Sequence, residues 1–159
     1  MVVVLLGLVL GSGWYFIGDK FPATQTAGPS LTKSDWVAVS PERLQSELAQ
    51  GHSVFLDFTA AWCITCKFNE ASVLETASIR EAFERAGVVK MKADWTNADP
   101  VITKTLQQFG RVGVPLYVLY PAGNPNQPIV LPELLTKDLV LNHLQTAAPK
   151  VAAAPSNNL

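Results

Sequence analysis

Cysteine, histidine and charged residues are all scarce in this sequence. Its 159 residues include two cysteines and two histidines, and charged residues make up 16% of the composition. The net charge is −1 and no run of lysine and arginine occurs, which argues against a partner made of nucleic acid. Two cysteines are too few for the disulfide framework of a small secreted scaffold. They form a reactive pair, a metal site or one local bridge.

Charge is also missing from the start of the chain. Residues 2–18 (VVVLLGLVLGSGWYFIG) have no charged side chain, and no lysine or arginine precedes Lys20. A secretory signal would have a basic start and a small-residue cleavage site. We therefore predict a transmembrane helix at residues 1–18, whole or truncated at its start, with Trp14 and Tyr15 near the membrane interface. Its length of about 25 Å is slightly less than a ~30 Å hydrocarbon core, so a buried helix of a soluble core is the alternative.

Composition divides the remaining chain into three parts. Residues 19–34 are rich in proline, threonine, serine, alanine and glycine, which is typical of a linker. Residues 147–159 (AAPKVAAAPSNNL) have no apolar period and predict a disordered tail. Residues 35–146 remain as one folded domain of ordinary size.

Strand and helix patterns alternate within this domain. Apolar runs predict strands at residues 36–39, 53–59, 88–93, 115–120 and 128–131. Capping residues and helical periodicity predict helices at residues 41–50, from Cys63 to the mid-70s, and at residues 78–86, 99–109 and 136–146. The order predicts an α/β fold with a mixed central β-sheet flanked by helices.

Both cysteines lie in the segment DFTAAWCITCKFNE, between a predicted buried strand and a predicted helix. Cys63 falls at the start of that helix, where unpaired N–H groups and the helix dipole favour a thiolate. Cys66 lies one turn further along and is more shielded. This asymmetry favours a redox dithiol in which Cys63 attacks and Cys66 resolves.

A metal site and a structural bridge fit the cysteine pair less well. A zinc site needs about four ligands, and His52 and His143 are far apart without a ligand spacing. A structural disulfide across so short a loop would add little stability. We therefore expect neither a metal nor a cofactor, although the residues alone leave open a binding module with an inert pair.

Two carboxylates bear on the pair. Asp57 interrupts the predicted buried strand, where burial should raise its pKa. Glu70 lies four residues after Cys66, on the same helix face. Either could accept a proton from Cys66, and either, when ionised, would hold up the pKa of Cys63. The alternatives are a structural salt bridge from Asp57 to Lys92 and a solvated Glu70.

The segment RVGVPLYVLY adds Pro115 at the start of a predicted strand. A cis peptide between Val114 and Pro115 would need a reason. One such reason is that the cis peptide would place backbone without bulky side chains beside the two sulfurs, where a partner chain could dock.

Three motifs carry a resemblance to a known family. The WCxxC segment, Asp57 and the Val-Pro before a late strand resemble the thioredoxin fold. The segments FTAAWCITCKFNE, KADWTNAD and FGRVGVPLYVLY are similar to the C-terminal periplasmic domain of the DsbD family of thiol:disulfide interchange proteins. The similarity covers residues 35–146, and the preceding apolar segment is similar to the last transmembrane helix of that family's membrane domain.

The resemblance implies a membrane-tethered electron relay in the bacterial inner membrane, with its catalytic domain in the periplasm. Reducing equivalents would pass from a cysteine pair in a membrane domain to periplasmic thiol–disulfide proteins. It also implies site roles: Cys63 as nucleophile, Cys66 as resolving thiol, Asp57 and Glu70 as acidic modulators, and Pro115 as the cis proline.

The sequence departs from the family in two ways. Most of the membrane domain and the N-terminal domain are missing from it, which suggests either a piece of a longer protein or a stand-alone tethered thioredoxin-like protein, for example in cytochrome c maturation. Ile64 and Thr65 replace the Gly-Pro of ordinary thioredoxin. The reduction potential therefore stays open, and with it the choice between a reductase and a disulfide-donating oxidant.

Overall fold

The computed structural model of the chain describes residues 35–147. The predicted transmembrane helix, the predicted linker up to residue 34 and the predicted tail beyond Ala147 lie outside the described residues. Within residues 35–147, no helix is both long and apolar enough to cross a membrane. The elements in chain order are β1 (Val37–Ala38), α1 (Pro41–Ala49), β2 (Val54–Thr59), α2 (Ile64–Asn69), a π-helical turn (Glu70–Leu74), α3 (Ala77–Ala86), β3 (Val89–Asp94), α4 (Pro100–Gln108), β4 (Leu116–Tyr120), β5 (Ile129–Leu131) and α5 (Lys137–Ala147).

The five strands form one mixed sheet in the order β1-β3-β2-β4-β5. Strand β3 runs parallel to both β1 and β2. Strand β4 runs antiparallel to β2 and β5. Central strand β2 has all six residues buried, as expected for a strand covered on both faces. The predicted α/β fold with a mixed sheet and flanking helices is thus confirmed.

Alternation along β2 divides the core between the two faces of the sheet. Phe55 packs on one face with residues of α3 and α5. Val54, Leu56 and Phe58 pack on the other face, in a cluster that includes residues of α1 and α4. Asp57 therefore shares a face with Phe55, opposite its neighbours Leu56 and Phe58.

Local signals in the sequence explain where several helices begin and end. Ser40 Oγ accepts a hydrogen bond from the Arg43 amide at 3.1 Å, just before Pro41 in the first turn of α1. Asp99 caps α4 in the same way, accepting from the Val101 amide at 2.8 Å. Gly87 ends α3 with a φ of 61°, which glycine adopts without strain.

The structure differs from the prediction after the cysteines. The single helix predicted from Cys63 to the mid-70s is divided into α2 and the π-helical turn. The division falls at Asn69, a fully buried residue whose side chain is fixed from outside the helix. Its Nδ2 donates to the Tyr117 hydroxyl at 3.0 Å and to the Glu133 carbonyl at 2.7 Å, and its Oδ1 accepts from the Leu135 amide at 3.2 Å.

Helix α5 also runs one residue beyond its predicted end. Ala147 is helical and buried, and its carbonyl accepts a hydrogen bond from Ser53 Oγ at 2.7 Å. The first residue that composition placed in the tail therefore packs against the domain.

Candidate active site

The two cysteines form a disulfide at the junction between sheet and helix. Strand β2 ends at Thr59, a turn follows, and Cys63 caps the start of α2. The Cα atoms of Cys63 and Cys66 are 5.3 Å apart. The Cys66 amide donates a hydrogen bond to Cys63 Sγ at 3.1 Å, a contact that would favour a thiolate on Cys63 after reduction. Cys63 is 6% exposed and Cys66 is 0% exposed, so both residues are buried and Cys63 is the less enclosed of the two.

The loop before β4 covers one side of the disulfide. Ala60, Cys63 and Cys66 form a small buried cluster against which Val114 packs. The peptide bond between Val114 and Pro115 is cis, and Pro115 is buried. The structure thus brings the predicted cis-proline loop to the predicted redox pair.

Asp57 and Glu70 form a second group, joined to each other through Lys92. The Lys92 ammonium lies 3.0 Å from Glu70 Oε1 and 3.7 Å from Asp57 Oδ2. Glu70 also receives a hydrogen bond from the Thr59 hydroxyl at 3.1 Å and an ion pair from Lys67 at 3.1 Å. Both carboxylates are therefore near cations, and Glu70 is not simply solvated.

The two carboxyl groups have opposite pKa shifts. Burial raises the pKa of Asp57 to about 7, although Lys92 opposes the shift. Neither oxygen of Asp57 has a hydrogen-bond partner among the described residues. Burial would also raise the pKa of Glu70, but hydrogen bonds from Lys92 and Lys67 outweigh it and hold that pKa below its usual value. Near neutral pH, Asp57 can therefore exchange a proton while Glu70 stays ionised.

Lys92 is held from the other side by Trp36, a residue that sequence reasoning did not assign to the site. The Lys92 ammonium lies 5.2 Å from the centre of the Trp36 ring, within the range of a cation–π contact. Trp36 Nε1 donates to Glu75 Oε1 at 2.9 Å. Lys90 lies 5.5 Å from the same ring centre and pairs with Asp35. The sequence shows that residue 36 is a tryptophan, but no motif or spacing in the sequence indicates that Trp36 contacts Lys92.

Thr96 and Asp94 were also missed. Thr96 contacts the turn between β2 and α2 at Ala61 and Trp62. Both residues lie inside the segment KADWTNAD, which supported a resemblance but carried no chemistry of its own. The contacts that Thr96 makes with the turn join residues more than 30 positions apart in the chain, so only the folded structure brings them together.

Several large apolar side chains that lie close in the chain to the cysteines, or to Val114 beside them, are exposed. Trp62 and Ile64 flank Cys63 in the chain and are 58% and 85% exposed. Phe68 on α2 is 57% exposed, and Val112 in the loop before Pro115 is 93% exposed. Large apolar side chains left open to solvent in this way are typical of a surface that contacts another protein.

Comparison with known proteins agrees with this geometry. A family described as thioredoxin-like matches residues 35–122, which contain the disulfide, both carboxylates and the cis proline. The chain belongs to the thioredoxin-like family. Its predicted fold class is confirmed by this match as well as by the sheet.

Curated relatives connect this thioredoxin-like chain to thiol:disulfide interchange proteins. It is 29% identical over 148 residues to the thiol:disulfide interchange protein DsbD of Vibrio cholerae, covering 90% of this chain and 24% of that protein. It is 30% identical over 115 residues to the DsbD of Ralstonia nicotianae, covering 72% of this chain and 19% of that protein. The chain thus spans about a fifth to a quarter of the length of these relatives.

Solved structures show the same fold. The oxidised C-terminal domain of DsbD from Neisseria meningitidis matches with a TM-score of 0.55 and 20% identity, covering 69% of this chain and 98% of that chain. A thioredoxin from Thermus thermophilus matches with a TM-score of 0.54 and 19% identity, covering 69% and 83%. The chain therefore contains a thioredoxin-like domain homologous to the C-terminal domain of DsbD. This homology and the Cys63–Cys66 pair support thiol–disulfide oxidoreductase activity, as the sequence predicted.

Proposed function

We propose that this chain is a membrane-tethered protein-disulfide reductase. Its Cys63–Cys66 dithiol relays reducing equivalents from a cysteine pair in a membrane domain to disulfides of periplasmic proteins. The observation that supports this most directly is the cysteine pair itself: a CxxC disulfide in a DsbD-related domain, with Cys63 slightly exposed and Cys66 fully buried.

In the proposed reaction, Cys63 attacks and Cys66 resolves. The Cys63 thiolate attacks one sulfur of the partner's disulfide, forms a mixed disulfide and releases the partner's other sulfur as a thiolate. Cys66 then attacks Cys63 Sγ, which closes the Cys63–Cys66 bond and releases the partner's second thiolate. Two electrons pass to the partner, whose two sulfurs take up protons. The difference in exposure between Cys63 and Cys66 supports this order.

Asp57 and Glu70 are assigned the proton and charge control of this reaction. Cys66 must lose a proton before it can resolve the mixed disulfide, and a carboxylate whose pKa is about 7 can accept a proton near neutral pH. Glu70 stays ionised and shares Lys92 with Asp57. Its negative charge opposes thiolate formation at Cys63 and keeps the reduced pair from being too strongly stabilised.

The exposed apolar surface suits a protein as the substrate. Trp62, Ile64, Phe68 and Val112 would contact the chain that carries the target disulfide. Half-buried Val114, which packs on the cysteine cluster, would lie beside this surface, and the buried cis proline that follows it, Pro115, has no backbone N–H to donate. A small thiol compound would need little of this surface.

The sequence and the relatives support a proposed location at the bacterial inner membrane. Residues 2–18 are proposed to anchor the chain in the bacterial inner membrane, and residues 19–34 to link this anchor to the next domain. Residues 35–146 would form the redox domain in the periplasm, followed by a tail at residues 147–159. The upstream cysteine pair would then lie within the membrane and the downstream acceptors in the periplasm. The named relatives are thiol:disulfide interchange proteins about four to five times as long as the aligned part, which suggests that the partner domains lie elsewhere in the same or in other chains.

The reduction potential of the Cys63–Cys66 couple tests the direction of electron flow. Equilibration with glutathione or dithiothreitol buffers, followed by alkylation and mass spectrometry, gives this value. A reductase should lie between about −180 and −270 mV, the range from protein disulfide isomerase to thioredoxin. A value near −120 mV, as for a dedicated oxidant, would overturn the reductase and make the protein a disulfide donor.

A further inference from the structure

The loop in front of Cys63 is held from the side by one residue, Thr96. The amide of Ala61 donates a hydrogen bond to Thr96 Oγ1 at 2.8 Å. The indole Nε1 of Trp62 donates another to the Thr96 carbonyl at 3.2 Å. Thr96 thus holds both the backbone and a side chain of the two residues that precede the attacking cysteine.

Thr96 is in turn fixed by Asp94. One carboxylate oxygen, Asp94 Oδ1, accepts hydrogen bonds from the Thr96 amide, at 2.9 Å, and from the Thr96 hydroxyl. The Thr96 hydroxyl points its only proton at Asp94. A lone pair of Oγ1 can therefore face the Ala61 amide and accept its hydrogen bond. The hydrogen bonds from Thr96 lower the pKa of Asp94, which keeps this acceptor ionised.

The Trp62 ring has a second support in Trp95. The two rings meet edge to face with centroids 6.0 Å apart. Trp95 is itself rigidly placed, because its amide donates to the Thr59 carbonyl at 2.7 Å and its Nε1 donates to Thr103 Oγ1 at 2.8 Å. Trp62 remains 58% exposed. Its ring is therefore oriented by the domain and yet open to a partner.

We propose that Thr96, held by Asp94, is a positioning residue that fixes the loop before Cys63 and sets the orientation in which the Trp62 ring meets an incoming protein disulfide. The Cys63 amide is tied to the Ala60 carbonyl at 3.1 Å, so a shift of Ala61 or Trp62 also moves the attacking sulfur. Displacement at a disulfide needs the attacking sulfur in line with the bond that breaks, and the exposed ring of Trp62, the residue before Cys63, is placed to contact an approaching partner. The inference rests on the proposed reductase function, which it extends to the geometry of attack.

The experiment compares two substitutions at Thr96 in the full-length chain. Thr96→Val keeps the side-chain shape and removes the hydroxyl, whereas Thr96→Ser keeps the hydroxyl. Thr105→Val is the matched control, because Thr105 Oγ1 donates to the Val101 carbonyl within α4, at 2.9 Å and away from the cysteines. The first readout is the second-order rate constant for reduction of insulin disulfides by the reduced protein.

The second readout does not depend on catalysis. Acrylamide quenching of tryptophan fluorescence measures how freely solvent reaches Trp62, and the same substitutions in a Trp62→Phe background isolate its contribution. The thermal unfolding midpoint is recorded for each variant to confirm that it is folded at the assay temperature.

Thr96→Val should slow insulin reduction by about fivefold, the factor that the loss of one ordinary hydrogen bond represents. It should also increase quenching, and this increase should disappear in the Trp62→Phe background. Thr96→Ser and Thr105→Val should match the wild type in both readouts. If Thr96→Val does not fold, Asp94→Ala removes the acceptor alone and should give the same two changes.

Wild-type rate and quenching in a folded Thr96→Val or Asp94→Ala variant would overturn the proposal. So would a Thr96→Ser variant as impaired as Thr96→Val. Failure of the wild type to reduce insulin would count against the proposed function instead, since the quenching comparison still tests whether Thr96 orients Trp62.

Discussion

At the residue scale, Lys92 is where the charges of the site meet. It lies 3.0 Å from Glu70 and 3.7 Å from Asp57, and Trp36 covers its other side. The ion pair to Glu70 is the shorter one, so Asp57 is only partly compensated for its burial. Burial therefore raises the pKa of Asp57 to about 7 against the opposing charge of Lys92, whereas hydrogen bonds from Lys92 and Lys67 outweigh burial at Glu70 and lower its pKa. The sequence suggested Lys92 as a partner of Asp57 but not its simultaneous bond to Glu70.

The raised pKa of Asp57 should make stability depend on pH. The folded carboxyl holds its proton up to about pH 7, whereas an aspartate in the unfolded chain has its ordinary pKa of 3.8. Stability should therefore fall as pH rises from about 4 to about 7 and then level off. Asp57→Asn removes this titration. In urea unfolding of the oxidised protein, its gain in unfolding free energy should be about 3 kcal/mol larger at pH 8 than at pH 5.

The exposed Asp138 in α5 provides the control for that measurement. Asp138→Asn shows how much of the change comes from replacing a carboxylate by an amide at an exposed position. An equal gain at both pH values for Asp57→Asn would show that Asp57 is ionised throughout, against the effect expected from burial.

The same carboxylates should hold up the pKa of the attacking thiol. Glu70→Gln removes a charge that is present at neutral pH, and Asp57→Asn removes one that is present above about pH 7, so each should lower the pKa of Cys63. The rate of alkylation of Cys63 in the reduced protein, measured against pH, gives this value. Glu81→Gln, at an exposed position of α3, is the control and should not change the pKa of Cys63. If neither Asp57→Asn nor Glu70→Gln changes the pKa of Cys63, the two carboxylates have only a structural role.

At the element scale, most helices and strands could be predicted because their signals are local. Ser40-Pro41 and Asp99-Pro100 cap their helices as the sequence indicates, and Gly87 ends α3. The π-helical turn could not be predicted. The turn has only five residues, too few for the apolar spacing in the sequence to distinguish a π-helical turn from an α-helical one. The hydrogen bonds of Asn69 at its start join residues that lie 48 to 66 positions away in the chain.

Asn69 should therefore matter far more than its place in a short helix suggests. Asn69→Leu fills the buried site with an apolar side chain. The Glu133 carbonyl, the Leu135 amide and the Tyr117 hydroxyl then lose their hydrogen-bond partner. The Tyr117 hydroxyl and the Leu135 amide are buried, and a group left unsatisfied in the interior costs about 1–3 kcal/mol. We therefore expect urea unfolding to show a loss of about 2–6 kcal/mol.

Ser72→Ala is the comparison within the same segment. Ser72 Oγ donates to the Phe68 carbonyl at 2.6 Å, one turn earlier, at a more exposed position. Its loss should cost less than about 0.5 kcal/mol. Equal small losses in both variants would mean that the Asn69 hydrogen bonds do not stabilise the domain.

At the scale of the whole molecule, the sequence predicted the α/β fold and the redox pair, but not the strand order or the residues around the pair. The order β1-β3-β2-β4-β5 brings β3 beside β2, and this places Lys92 opposite Asp57 and carries Thr96 to the loop before Cys63. The sequence offered the Asp57–Lys92 pair as one alternative, but the contact of Thr96 with the loop does not follow from spacing along the chain. The cysteines, Asp57, Glu70 and Pro115 could be chosen because each stands out locally in the sequence.

The proposed anchor leads to a prediction about where the protein is found. Native chain should sediment with membranes, because an uncharged run of 17 residues (2–18) favours the hydrocarbon core. Deletion of residues 1–34 should release a soluble domain that keeps its far-UV circular dichroism and its redox activity. Full-length protein in the soluble fraction would contradict the anchor, and an unfolded deletion variant would indicate that the segment belongs to the core.

The central claim is that Cys63 attacks a partner's disulfide and Cys66 resolves the product. Trapping of the mixed disulfide tests it most directly. Cys66→Ser and Cys63→Ser chains are expressed in a bacterial periplasm, and their complexes are separated by electrophoresis without reductant. Cys66→Ser should accumulate covalent complexes that a reductant dissolves, because resolution is blocked, whereas Cys63→Ser should accumulate none. Complexes with Cys63→Ser but not with Cys66→Ser would contradict the assignment of the two sulfurs, and complexes with neither would contradict the reductase itself.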